Sequence, residues 1–202
     1  LKTIKLAHKN KVKIGAHPSY PDTQNFGRTS LDISIESLVE SVDLQLNNFR
    51  RHIEYTNANW HHIKFHGALY NDLKHNMDIA KALVELIKTK YKNITLYVPP
   101  NSVIKTMAEN EIPIFVEGFA DRAYNDDLSL VSRLKLNAVL SDKKEVVQQI
   151  LNMIIDKKVK TISGQWISIQ VDTICLHGDN PKALLLTEKI VSALKKSNIK
   201  IQ

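Results

Sequence analysis

Short β-type runs alternate with amphipathic helical stretches from one end of this chain to the other, and that alternation builds parallel sheets and β/α barrels. Strands are expected at residues 12–16, 62–66, 94–98, 112–117, 165–170 and 173–177, and helices at 34–57, 76–90, 102–109, 142–157 and 181–196. In the first of these helices Ile35, Leu38, Val39, Val42, Leu46 and Phe49 recur at three- and four-residue spacing, and Ser34 can cap the N-terminus. In the last, Pro181 suits the first turn, with Asn180 or Asp179 ahead of it as cap. Residues 1–10 read as a helix whose preceding strand is not in the sequence, so a leading β/α segment is expected to be absent. No linker or repeat interrupts the pattern, which makes residues 1–202 one expected domain. Periodicity leaves an open doubly wound sheet as the alternative to a closed barrel.

Composition narrows the setting. Cys175 is the only cysteine, which rules out an intrachain disulfide and suits a reducing, cytoplasmic compartment. The longest apolar runs, residues 94–100 and 112–116, fall far short of the roughly 20 residues a membrane-spanning helix needs, so no membrane segment is expected. The formal charge of +7 is spread over lysines at element ends rather than clustered with aromatics. That placement argues against a nucleic-acid partner and for a small-molecule substrate.

In parallel β/α folds the side chains at the C-terminal ends of the strands converge on one mouth. Three histidines occupy such positions: His17, His66 and His177, followed by Pro18, Gly67 and Gly178. A fourth strand runs into Glu117, Asp121 and Arg122. Any one of these groups alone suits a structural role; their equivalent placement points to a site. Lys64 precedes His66 by two residues, so strand alternation predicts both on the inward face, with Ile63 and Phe65 against the helices.

Four blocks carry a resemblance: IGAHPSYPD with NFGR (residues 14–22 and 25–28), IKFHGALYN (63–71), FADRAY (119–124) and DTICLHGDNP (172–181). In this order they resemble the LamB/YcsF family of 5-oxoprolinase A subunits. The family's two N-terminal segments ahead of the GAHP block do not occur here. Leu128 stands where the family usually has Gly, and Leu136–Asn137 replaces a usual Pro-Gly; Arg133 matches the family's arginine.

The resemblance implies a TIM-like (β/α) barrel of the glycoside hydrolase/deacetylase type and ATP-coupled hydrolysis of 5-oxoproline to glutamate with partner subunits B and C. No G-x-x-x-x-G-K-[ST] phosphate loop occurs in the sequence, so ATP is expected to be handled by those partners. The expected catalytic set is His17, His66, Glu117, Asp121, His177 and Asp179. Within it, Asp179 or Glu117 with a neighbouring histidine would be the base, and His66 or His177 the acid. Asp22, Arg28, Lys64, Tyr70, Asn71, Arg122 and Arg133 are the expected substrate-binding residues, the cations holding a carboxylate or oxyanion. Two other readings stand beside this one. A metal-dependent amide or lactam hydrolase or deacetylase would use His17, His66, His177 and Asp179 as ligands to a divalent metal. A non-catalytic subunit would use the same histidines only to bind substrate.

Overall fold

The computed structural model of the protein describes residues 1–201. The chain forms two compact units, Leu1–Phe115 and Val116–Gln202.

The first unit follows the expected alternation: α1 (Lys2–Lys9), β1 (Ile14–Ala16), α2 (Ile35–Thr56), β2 (Trp60–Lys64), α3 (Gly67–Asp72), α4 (Met77–Lys90), β3 (Thr95–Val98) and α5 (Val103–Ala108). β1 pairs parallel with β2, and β2 with β3. Ser34 caps α2 by accepting the Ser37 amide, and Leu38, Val42, Leu46 and Ile53 form its buried stripe. The helix ends at Asn57, whose φ of 51° places it in the left-handed region that closes helices. Asn76 and Ser102 cap α4 and α5 in the same way. Ile63 and Phe65 are buried, as alternation predicts.

Two differences matter for the site. β2 runs from 60 to 64 rather than 62 to 66, so His66 sits at the N-terminal boundary of α3 instead of on the strand. The six-residue α3 is too short to leave a periodic signature, and periodicity did not foresee it.

The second unit holds β4 (Ile114–Phe119, entered from the end of the first), α6 (Lys143–Ile154), β5 (Lys158–Lys160), β6 (Trp166–Ser168), β7 (Thr173–Cys175) and α7 (Ala183–Lys196). β4 and β7 are parallel neighbours, with Glu117 opposite Thr173 and Phe119 opposite Cys175. Residues 165–170 do not supply another parallel strand: β6 pairs antiparallel with β5. Gly164, with φ of 89°, turns this hairpin, and Asp126 braces it by accepting the Thr161 and Ser163 hydroxyls. The last helix starts at Ala183, without a side-chain cap on its first turn. Asn180 instead closes the preceding turn by accepting the Lys182 amide and also donates to Asp121.

Leu128 and Asn137 have φ of 65° and 61°, so the structure explains the family's preference for glycine at both places. Leu128 is 2% exposed, and its burial offsets the backbone cost.

Candidate active site

In the second unit β4 delivers its last residues into a loop that is held rigid from several sides. Arg122 is buried, with Nε donating to the Ala138 carbonyl and Nη2 to the Val131 carbonyl. Gln149 on α6 donates to the carbonyls of Phe119, Ala120 and Arg122. The Tyr124 hydroxyl accepts the Phe119 amide, and the Leu140 amide donates to the Asp121 carbonyl. Fixed in this frame, the Asp121 carboxylate is 1% exposed and lies 2.8 Å from Nδ1 of His177, which arrives from the end of β7. The His177 ring stacks on Phe119 with centroids 5.4 Å apart.

Burial alone would raise the Asp121 carboxyl. The His177 hydrogen bond and charge, with Asn180 behind it, outweigh burial and hold the group below the usual carboxylate range. Asp121 therefore accepts from Nδ1–H as an anion, which leaves Nε2 of His177 as the basic nitrogen. A depressed folded-state value stabilises the native state above the unfolded value of about 3.9, and the contribution is lost as pH falls through the folded value. The Asp121→Asn variant lacks it. Urea midpoints of wild type and variant are thus expected to converge as pH drops below about 4. A gap unchanged from pH 6 to pH 3 would contradict the assignment.

Asp121 and His177 line a cleft of about 340 Å³ together with Arg133, Ser141, Asp179, Asn180 and Lys182. Of the sequence candidates the structure thus gathers Asp121, His177, Asp179 and Arg133. Ser141, Asn180 and Lys182 were not foreseen as site residues; Asn180 closes the HGDN block and Lys182 follows it by two residues, whereas Ser141 carries no sequence signal. Arg122 does not line this cleft, because its guanidinium is spent on loop carbonyls. Glu117 is 2% exposed on β4 and is absent from the cleft lining.

A second cluster lies in the first unit. His17 Nδ1 donates to the Lys64 carbonyl at 2.6 Å, His66 Nδ1 and His17 Nε2 are 3.1 Å apart, and His66 Nε2 donates to the Phe26 carbonyl at 2.9 Å. Lys64 Nζ is 6.0 Å from the centre of the Tyr70 ring, and the Arg28 guanidinium is 5.3 Å from that of Phe26. Asp22 Oδ1 accepts from both nitrogens of Asn25. The Asn71 side chain is exposed and joins no part of this cluster. Alternation does not govern His66, which lies beyond the strand; backbone contacts place it, its amide donating to the Pro18 carbonyl.

The metal reading finds no matching donor set: among the described residues no group of three or more His, Cys, Asp or Glu is arranged to hold an ion. His17 and His66 turn nitrogens toward one another and toward carbonyls. Among the same residues no helix is long and apolar enough to cross a membrane.

The sequence pattern of the LamB/YcsF family matches residues 1–202. The chain belongs to the LamB/YcsF family. Within it, the chain is 39% identical over 201 residues to the 5-oxoprolinase A subunit of Pyrococcus abyssi, an alignment covering 99% of this chain and 79% of that protein. It is 38% identical over 199 residues to the 5-oxoprolinase A subunit of Haemophilus influenzae, covering 98% of this chain and 81% of the relative. The crystal structure of a lactam utilization protein from Thermus thermophilus superposes with a TM-score of 0.90 at 27% identity, over 100% of this chain and 81% of that one. This family member accordingly has an α/β fold of the TIM-like barrel type, the class its strand and helix alternation predicts.

Proposed function

We propose that the protein is the A subunit of a 5-oxoprolinase and that the cleft lined by His177 opens the lactam ring. The observation that carries this reading is the buried Asp121 carboxylate holding Nδ1 of His177 at 2.8 Å, on a cleft also lined by Arg133 and Lys182. The names of the relatives, which speak of 5-oxoprolinase and of lactam utilization, supply the substrate class.

An unstrained lactam resists water, so the reading includes activation of the lactam oxygen by ATP on partner subunits B and C. His177 Nε2 then takes a proton from water as its oxygen bonds to the activated carbon. The carbon–nitrogen bond breaks as His177 returns that proton to the departing nitrogen, and a second water converts the resulting acyl phosphate to glutamate and phosphate. Arg133 and Lys182 hold the substrate's carboxylate and phosphoryl groups; Asp179, at the same rim, orients the water. In this scheme Arg122 and Gln149 position the loop that carries Asp121. The single cysteine supports a cytoplasmic setting.

Reconstitution with subunits B and C, with glutamate and ADP both measured, tests the assignment. Glutamate release from 5-oxoproline that requires all three subunits is expected. ADP formation with no glutamate under any condition would end the reading. Arg133→Ala and Lys182→Ala are each expected to raise KM roughly 10-fold, with a smaller change in kcat, because each removes a charge-assisted contact rather than the base. An unchanged KM in both variants would remove these residues from the substrate site.

A further inference from the structure

The loop between Val131 and Ala138 is pinned at both ends and bare at its tip. The buried Arg122 guanidinium donates to the carbonyls of Val131 and Ala138. The Val131 amide donates to the Ala123 carbonyl, and the Ala138 carbonyl accepts the Ala123 amide, each at 3.0 Å. Ala123, Val131 and Ala138 pack together as one buried cluster. Between these anchors Leu134 is 98% exposed and Leu136 89%. The fold spends burial on Val131 and Ala138 and leaves both leucines in water.

These leucines flank the cleft. Arg133 and Val139, on either side of them in the chain, both line it, as do Pro181 and Lys182, which lead into α7. The first turn of α7 adds the exposed Leu184 and Leu185, while Leu186 is buried. A single apolar side chain in water is ordinary; several bordering one polar opening mark a surface that another molecule covers. A loop already held rigid at its base loses little freedom when it is covered. Charge narrows the occupant. Residues 131–141 carry Arg133 and Lys135 and no carboxylate, and Lys182 adds a third cation; Asp179 is the exposed carboxylate of the lining. A second copy of this chain would bring the same cations and another net charge of +7 against them. A covering surface rich in carboxylates suits them instead.

We infer that residues 133–139 and the first turn of α7 form the docking face for the ATP-handling partner subunit, which covers the cleft with an apolar hollow edged by carboxylates. The inference rests on the subunit reading above and adds where the partner stands. A lactam phosphorylated on its oxygen is open to attack by bulk water, so the subunit that makes it must deliver it through a covered mouth rather than through solution. Leu134, Leu136 and Leu184 supply the apolar centre of the contact, and Lys135 steers the acidic face toward it.

The test is binding of the full chain to reconstituted subunits B and C, read by interferometry, beside glutamate formation by the same mixture. Leu134→Ser combined with Leu136→Ser is expected to weaken binding roughly 100-fold, and Leu184→Ser roughly 10-fold. Melting temperatures should stay near that of wild type, because these side chains touch little of the fold. Glutamate formation by the double variant should recover to the wild-type rate as B and C are raised, since docking rather than chemistry is impaired. Lys135→Glu is expected to slow association and to flatten its dependence on salt. Leu44→Ser, which removes an exposed leucine from α2, is the control and should bind as wild type does. Wild-type affinity in the leucine double variant, with glutamate still formed, would overturn the inference and leave the proposed function standing. An equal loss in Leu44→Ser would overturn it too, as a general effect of removing surface leucines. So would self-association of the wild-type chain that the double variant abolishes, or binding to phosphatidylserine vesicles that the double variant loses while B and C still bind. A wild-type chain that neither binds B and C nor yields glutamate would defeat the proposed function, and the docking face with it.

Discussion

Replacing His177 with alanine is expected to lower kcat for lactam opening by about 10²–10⁴-fold in the assembled enzyme, with the fold intact. The size follows from the role proposed for it. His177 is the basic group on the cleft whose one nitrogen is committed to a buried carboxylate, which leaves the other to take the proton from water. Its side chain is 24% exposed and contributes little to the core, so circular dichroism should remain near that of wild type, while the urea midpoint falls because the buried Asp121 carboxylate loses its partner. Asp121→Asn tests the same arrangement from behind. An amide does not hold an anion's charge against Nδ1, so the imidazolium formed during water attack is no longer stabilised, and kcat should fall by a comparable factor. The double variant should be scarcely worse than either single one, because the two residues act as a unit. Full ATP-coupled glutamate formation by His177→Ala would transfer the chemistry to the partners and confine this chain to binding.

Gly67→Ala is expected to be the most disruptive single-methyl change in the first unit. Gly67 has φ of 63°, and a Cβ there would overlap the Gly27 carbonyl oxygen, which is backbone and itself bonded to the Ala68 amide. The left-handed conformation costs an alanine about 1–2 kcal/mol, and the contact forces the 22–28 loop outward at a further cost of about 1–3 kcal/mol. A total of about 3 kcal/mol corresponds to a Tm lowered by roughly 6–12 °C for a chain of this size. The same shift would draw the Phe26 carbonyl away from His66. A Tm within about 2 °C of wild type would show that the two loops are not held as closely as the structure has them.

Elements with local signals were legible from the residues alone. Ser34, Leu38, Val42 and Leu46 announce α2 because a cap and a repeating apolar stripe are local signals. Asp142, Asn76 and Ser102 mark helix starts for the same reason. Periodicity said nothing about the direction of residues 165–170, because a short β-type run reads alike whether its neighbour is parallel or antiparallel; the Gly164 turn decides that. Nor does a helix start reveal itself when the cap residues are occupied elsewhere, as Asn180 is by Asp121.

For the site, the amino-acid order by itself determined that His17, His66 and His177 would stand at or just beyond strand ends, since a β/α repeat delivers those positions to loops at the C-terminal edge. It also marked Asp121 and Arg122 as one loop. Only the tertiary structure decided that Asp121 binds His177 while Arg122 is consumed by the Val131 and Ala138 carbonyls. It alone paired His17 with His66. These outcomes depend on contacts between residues 56 and 49 positions apart, and on which carbonyls a folded loop turns inward. Residue type and spacing specify the available donors and acceptors; the partner each one meets is set by the packing that brings distant segments together.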